Sequence, residues 1–212
     1  MPICPKKKNS NIIKMNPILQ LDQDVTLAIN GMNSEGFDPF FYYVSSKYVW
    51  FAIGALLMFY LFRYSKPNYR KAVIFLIFLA LAILAADQIC NIFKYTVQRY
   101  RPCHDENIKD IVHIVNGDRG GKYGFFSAHA ATFFCIAVMT AKYFKNKYFT
   151  IGVFAVALLV SYSRIYLGRH YMGDIIVGAI EGTLIALAVY HFYQKFLYKY
   201  SLKHPQENNG RL

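Results

Sequence analysis

Residues 72–93 read AVIFLIFLALAILAADQICNIF, and Asp87 is the only charged residue in this run. A helix needs roughly 20 mostly apolar residues to cross a bilayer, so the run predicts a transmembrane helix. Four further apolar stretches predict spans on the same grounds, namely Phe40–Phe62, Ala128–Phe144, Tyr148–Leu167 and Tyr171–Leu197. The predicted fold class is therefore all-α, a polytopic bundle of five transmembrane helices.

The composition agrees with a membrane protein and excludes several other classes. Hydrophobic residues make up 55% of the chain, which excludes a disordered protein. Four scattered cysteines without a CxxC pair exclude a disulfide scaffold and a zinc site. The 24 Lys and Arg against 12 Asp and Glu give a net charge of +12. Beside long apolar runs, this excess predicts anionic lipid headgroups as partners and not nucleic acid.

The chain divides into a basic N-terminal segment, a transmembrane domain and a polar tail, at residues 1–15, 16–200 and 201–212. Asn16 and Pro17 predict the start of a short helix, and Gly31 predicts its end. Apolar residues repeat at helical spacing between these signals, as in an amphipathic helix that lies in the membrane interface. A helix packed on the protein as in soluble proteins is the alternative.

The distribution of charge predicts the orientation of the chain. Basic residues concentrate in loops 63–71 and 142–147 and in the tail from Lys195, whereas acidic residues concentrate on the opposite side. The positive-inside rule places the basic loops in the cytoplasm and the other face on the outer side of the membrane. Lys6–Lys8 opposes this assignment, because five spans place it outside. Either this end folds back, or the more numerous basic residues elsewhere determine the orientation. The second explanation is favoured.

Polar residues gather where four predicted spans meet the outer face. Lys94 ends the second span, Ser127 begins the third, Arg164 ends the fourth and His170 begins the fifth. Chain-distant polar groups that meet at one membrane face indicate a functional site. Since a guanidinium matches phosphate oxygens in a two-pronged manner, and a helix N-terminus binds anions, these groups predict a phosphate site.

Two histidines add catalytic chemistry to this site. His170 and Asp174 are four residues apart and share one face of a helix. A carboxylate in that position holds an imidazole in one tautomer and leaves its other nitrogen free to attack. His129 is a second imidazole, available as an acid or a base.

Three stretches together resemble the signature motifs of a known family. They are KYTVQRYRP at 94–102, SAH at 127–129 and SRIYLGRHYMGD at 163–174. They are similar to the motifs K-x6-R-P, P-S-G-H and S-R-x5-H-x3-D of the type-2 phosphatidic acid phosphatase superfamily, membrane lipid phosphatases related to vanadium haloperoxidases. The first and third match in full, whereas Phe126 and Ala128 replace proline and glycine of the second. The resemblance covers about residues 15–198.

The resemblance implies a role for each matching residue. His170 would be the nucleophile that forms a phosphohistidine, Asp174 would orient it, and His129 would protonate the departing lipid oxygen and later activate water. The implied phosphate-binding groups are Lys94, Arg101, Ser127, the Ala128 amide and Arg164. Because fixed cations then stabilise the transferred phosphoryl group, no metal or other cofactor is expected.

The implied activity is hydrolysis of a phosphomonoester or diphosphate on a lipid. Undecaprenyl diphosphate and a lipid A phosphate are the leading substrates. The alternatives are a phosphotransferase that moves phosphate between lipids and a non-catalytic phospholipid-binding membrane protein. Oriented histidines argue against the second alternative, because phosphate binding alone needs no nucleophile.

Several charged residues outside the motifs have two interpretations each. Arg99 and Arg169 flank the motifs, and either headgroup contact or solvent exposure fits them. Asp87 shares a helical face with Lys94 and is a candidate to brace it, and a protonated carboxyl group in an interhelical hydrogen bond is the alternative. For Glu181, which also lies within a predicted span, the interhelical hydrogen bond is the favoured interpretation. Residues 22–24 read DQD, which resembles a metal-binding DxD, although a solvated helix face is the favoured interpretation.

Overall fold

The computed structural model describes residues 16–66 and 69–203, and the regular elements of this part are helical, as predicted. The α-helices of these described residues are α1 (Pro17–Asn30), α2 (Asp38–Val44), α3 (Lys47–Tyr64), α4 (Tyr69–Val97), α5 (Ala128–Phe144), α6 (Lys147–Tyr166) and α7 (Met172–Lys203). Helix α7 continues to Lys203, past the boundary expected at residue 200. Lys6–Lys8 lies outside the described residues.

The structure supports a membrane bundle but not a simple set of five straight spans. Helices α4, α6 and α7 are long and apolar enough to cross a bilayer. The predicted span Phe40–Phe62 is broken, because α2 and α3 meet at an angle of 55° around Ser45 and Ser46 and pass the same test only as a pair. Helix α5 is apolar but has 17 residues, about 25 Å of helix against a hydrocarbon core of about 30 Å.

Helix α5 is the centre of the bundle and packs against α4, α6 and α7. Its contact with α7 is close because two glycines of α7, Gly178 and Gly182, face it. A Cβ atom at Gly178 would lie 2.6 Å from the backbone oxygen of Ser127, and one at Gly182 would overlap the backbone of Ala131. Small residues four apart allow two membrane helices to approach in this way. This contact aligns the N-termini of α5 and α7, where the predicted motifs lie.

Helix α1 begins at the predicted cap, since the Asn16 side chain accepts a hydrogen bond from the Ile18 amide at 3.0 Å. Its polar residues Thr26 and Asn30 are buried, whereas the apolar Ile18 and Leu21 are 74% and 64% exposed. Leu27 and Ile29, in the second half of the helix, pack against buried residues of the protein. Helix α1 therefore contacts the protein through both polar and apolar residues, and its position in the membrane interface stays a prediction.

The contact between α5 and α7 predicts that Gly182→Ala destabilises the bundle. The added methyl group has no room, and overpacking of this kind costs about 1–3 kcal/mol. A loss of 1 kcal/mol lowers the Tm of a chain of this size by about 2–4 °C, which thermal unfolding in detergent measures. Gly152→Ala on α6 is the control, because a Cβ atom there meets no atom within 4 Å. Equal Tm values for the two variants would contradict the packing.

Candidate active site

His170 lies in the short turn between α6 and α7 and is 2% exposed. Gly168 makes the turn possible, because its φ of +64° is in the left-handed region that other residues rarely adopt. The amides of Arg169 and His170 donate to the backbone oxygen of Arg164 at 2.9 and 3.3 Å. The imidazole is therefore held by a tight backbone turn at the outer end of two packed helices.

Asp174 stands beside this imidazole, on the first turn of α7. Its Oδ2 is 3.5 Å from Nδ1 of His170, which is longer than a hydrogen bond. The same oxygen accepts the Tyr171 amide at 3.1 Å, and Oδ1 pairs with Arg99 at 2.9 Å. The carboxylate is thus fixed next to Nδ1. This arrangement leaves Nε2 as the nitrogen available for attack on phosphorus.

Three guanidinium groups surround the histidine. Arg164 and Arg169 are 6% and 8% exposed, and in the described part of the chain the Nε atoms of both are buried without a hydrogen-bond partner. Arg101 donates to the Tyr123 backbone oxygen at 3.1 Å. Burial lowers the pKa of Arg101, and the charge of Arg169 lowers it further. Buried cations with unsatisfied donors are a binding site for an anion.

The electrostatics of this cluster set the charge of the His170 imidazole. Burial holds the pKa of the His170 imidazole well below its usual value, and the charges of Arg101 and Arg164 lower it further. The imidazole is therefore neutral at neutral pH. A neutral ring is the form that can attack phosphorus, since protonation would occupy the attacking lone pair.

His129 lies on the first turn of α5, and its ring meets the Trp50 indole edge-on with centroids 4.6 Å apart. A cavity of about 370 Å³ opens between His129, Arg164 and the bend between α2 and α3. In this region the Ser46 hydroxyl and the Trp50 Nε1 atom are buried, and the described residues offer them no hydrogen-bond partner. The second imidazole is thus positioned between the cation cluster and a space that can receive part of a substrate.

The remaining predicted residues lie at helix ends beside the cation cluster. Ser127 caps α5, because its hydroxyl accepts the Ala130 amide at 3.4 Å, and its own amide donates to the backbone oxygen of Asp174 at 3.0 Å. Lys94 lies on the last turn of α4, and its charge also lowers the pKa of His170. The structure therefore brings together all eight predicted site residues: Lys94, Arg101, Ser127, Ala128, His129, Arg164, His170 and Asp174.

Asp87 does not have the partner that helical spacing suggested. Its carboxylate accepts a hydrogen bond from the Asn91 side chain at 3.0 Å, one turn along α4. The expectation that it braces Lys94 is replaced by this pair.

The sequence did not decide between the two interpretations of Arg99 and Arg169, and the interpretation of Asp22 as part of a solvated helix face was wrong. Arg169 is buried in the cation cluster and forms an ion pair with Asp118. Arg99 is only partly exposed, and it bridges Asp174 and Asp22 at 2.9 and 2.6 Å. Asp22 is thus an internal ion-pair partner and not part of a solvated face. Among residues 16–66 and 69–203, no three His, Cys, Asp or Glu side chains form a potential metal site.

A helical membrane bundle with a buried histidine among guanidinium groups defines a membrane enzyme of phosphoryl transfer. The sequence pattern of the PAP2 superfamily matches residues 75–198. Lipid A 4'-phosphatase of Porphyromonas gingivalis is 37% identical over 180 residues, which cover 84% of this chain and 75% of that protein. The lipid A 4'-phosphatase of Bacteroides thetaiotaomicron is 38% identical over 164 residues, covering 76% and 72%.

The fold is also similar to a solved structure. The crystal structure of a transmembrane PAP2-type phosphatidylglycerolphosphate phosphatase from Bacillus subtilis superposes with a TM-score of 0.63 at 20% identity, covering 86% of this chain and 89% of that one. The chain belongs to the PAP2 superfamily, and it is a membrane lipid phosphatase. The family resemblance found in the motifs is thereby confirmed.

The charges around His170 predict a shift in the pH dependence of Lys94→Gln. The charge of Lys94 lowers the pKa of His170, so its removal raises that pKa and moves the acid limb of kcat/KM to higher pH. Comparison with the unsubstituted protein on one substrate cancels the ionisation of the substrate itself. Lys145→Gln, at an exposed position after α5, is the control and keeps the original limb. An acid limb that stays in place in Lys94→Gln would contradict this electrostatic account.

Proposed function

We propose that this protein removes a phosphate from lipid A at the periplasmic face of a bacterial inner membrane, through a phosphohistidine at His170. The observation that carries the proposal is a neutral, buried imidazole whose Nδ1 faces Asp174 and which lies near the charges of Arg101 and Arg164. The names of the two similar bacterial phosphatases support lipid A as the substrate. The excess of basic residues in the loops opposite the site supports the periplasmic orientation.

In the first step, Nε2 of His170 attacks the phosphorus atom. The P–N bond forms as the bond from phosphorus to the lipid oxygen breaks. His129, which enters this step as the protonated imidazolium beside the bound phosphate anion, gives a proton to that oxygen, so the lipid leaves as an alcohol and His129 becomes neutral. Charge accumulates on the three equatorial phosphoryl oxygens. Arg101 and Arg164, together with the α5 N-terminus, stabilise this charge without reorganisation because they are already fixed.

In the second step, water replaces the histidine. His129, now neutral, takes a proton from the attacking water, the new P–O bond forms and the P–N bond breaks. Inorganic phosphate leaves, and both imidazoles return to their starting protonation states. Metal independence belongs to this proposal, because the buried guanidinium groups supply the positive charge that a divalent ion supplies in other phosphoryl-transfer enzymes.

The cavity beside His129 supports a sugar phosphate as the substrate. Tyrosine rings line it together with serine hydroxyls and a lysine, at Tyr42, Tyr43, Ser45, Ser46, Lys47 and Tyr48. Aromatic faces with a few convergent polar groups suit a ring that carries hydroxyls. They suit a polyprenyl chain less well, because such a chain leaves the polar groups unpaired. The sugar that carries the phosphate would occupy this cavity while its acyl chains remain in the bilayer.

A panel of lipids tests the proposed function in purified protein in detergent with EDTA present. We expect phosphate release to be fastest from lipid A and slower from undecaprenyl diphosphate, phosphatidylglycerol phosphate and phosphatidic acid. His170→Ala should lower turnover by about 10³-fold or more, since the covalent route is lost. His191→Ala is the control, because this histidine is exposed near the other end of α7.

Each of four other outcomes would contradict a specific part of the proposed function. Normal turnover by His170→Ala would contradict the covalent mechanism, and activity that EDTA abolishes and Mg²⁺ restores would contradict metal independence. Labelled phosphate that appears on a second lipid and not in water would establish the phosphotransferase alternative. Lipid binding without turnover by the unsubstituted protein would establish the non-catalytic alternative.

A further inference from the structure

Helix α1 presents three polar residues one turn apart, Asp22, Thr26 and Asn30, to the start of α7 and the end of α6. Oδ1 of Asp22 accepts the Gly173 amide at 2.7 Å, and the Thr26 hydroxyl accepts the Met172 amide at 3.0 Å. The first amides of a helix have no partner within it. Helix α1 therefore caps α7 from outside, immediately after the turn that carries His170.

The same helix also holds the other end of that turn. The Asn30 side chain donates to the backbone oxygen of Tyr166, the last residue of α6, at 2.7 Å. It further exchanges hydrogen bonds with the backbone of His113, at 3.0 and 2.8 Å. Because the last carbonyls of a helix also lack internal partners, α1 ties together the two helix ends between which the nucleophile lies.

Asp22 additionally reaches the catalytic carboxylate through Arg99. Its Oδ2 is 2.6 Å from one terminal nitrogen of Arg99, and the other terminal nitrogen is 2.9 Å from Oδ1 of Asp174. The guanidinium group lies over the ring of Tyr171, 4.0 Å from its centroid. The plane and both ends of Arg99 are thus fixed, and a continuous series of contacts runs from Asp22 to Asp174.

The contact between α1 and α7 is close. A Cβ atom at Gly173 would lie 3.0 Å from Oδ2 of Asp22. The glycine allows the backbone of α7 to approach the carboxylate directly. Asp22 therefore fixes the start of α7 in two ways: its carboxylate accepts the Gly173 amide, and it pairs with Arg99.

We propose that Asp22 is a positioning residue for the phosphoryl transfer. Its charge shares Arg99 with Asp174, so that Asp174 keeps the negative charge and the orientation that hold Nδ1 of His170. The role lies on α1, outside residues 75–198 that match the family pattern. It rests on the phosphohistidine mechanism proposed above, and it acts on the rate of the chemical step, not on the binding of lipid.

Asp22→Asn tests the role, because the amide keeps an oxygen for the Gly173 amide but loses the charge that pairs with Arg99. We expect kcat to fall by about 10–100-fold, the range seen when partners of a catalytic ligand are removed, with KM within about twofold and an unchanged Tm. Asp24→Asn is the matched control, since Asp24 is exposed on the same helix. It should retain full kcat.

A double-mutant cycle tests the path through Arg99. In an Arg99→Met background, Asp22→Asn should cause little further loss of kcat, because the charge that it removes has lost its partner. Additive losses would overturn the path. A fall in kcat that accompanies an equal loss of stability, or a change confined to KM, would overturn the positioning role.

Orthovanadate provides a test that does not depend on the lipid substrate. It binds as a phosphate analogue and bonds to a histidine nitrogen held in the attacking geometry. We expect calorimetry to show at least a tenfold weaker Kd in Asp22→Asn and an unchanged Kd in Asp24→Asn. Equal Kd values for these two variants would overturn the role of Asp22. Unchanged vanadate binding by His170→Ala would instead contradict the proposed mechanism, so the two failures are distinguishable.

Discussion

The burial of several guanidinium groups around one neutral imidazole is the constraint on which the rest of this structure depends. Removing a cation from water is costly unless a partner compensates it. Here Arg164 and Arg169 are almost fully buried, and each keeps an Nε atom without a protein partner in the described part of the chain. An anionic headgroup that enters this cluster satisfies those donors. Burial together with the charges of Arg101 and Arg164 lowers the pKa of His170, so the site proposed to attract the phosphate also keeps the proposed nucleophile neutral.

The fold holds these groups through close contacts between helices of different parts of the chain. Glycines of α7 bring it against α5, and the amide of Ser127 on α5 donates to the backbone oxygen of Asp174 on α7. Helix α1 then fixes the turn between α6 and α7 from outside. Positioning by packed helices matters because phosphoryl transfer is governed by geometry and charge and not by complex covalent chemistry.

Much of the site could be predicted from the sequence, because its residues stand at the ends of apolar runs and at fixed spacings. His170 and Asp174 are one helical turn apart, and this local relation survives in any helix. The bond from Asp22 to Arg99 could not be predicted in this way, since it joins residues 77 positions apart. A weaker signal existed in the polar residues of α1 that repeat every four positions. The bend at Ser45 and Ser46 was also missed, although the polar run Ser45-Ser46-Lys47 interrupts the apolar stretch there and serine pairs are among the places where helices kink.

The most direct test of the central claim is to trap the enzyme during turnover with a lipid that carries radioactive phosphate. After rapid denaturation at alkaline pH, the account predicts labelled protein whose label is released by acid, as expected of a phosphohistidine, and maps to the peptide that contains His170. Labelled protein should be absent from His170→Ala. Turnover without any labelled protein under conditions that preserve phosphohistidine, or label on another residue, would contradict the account.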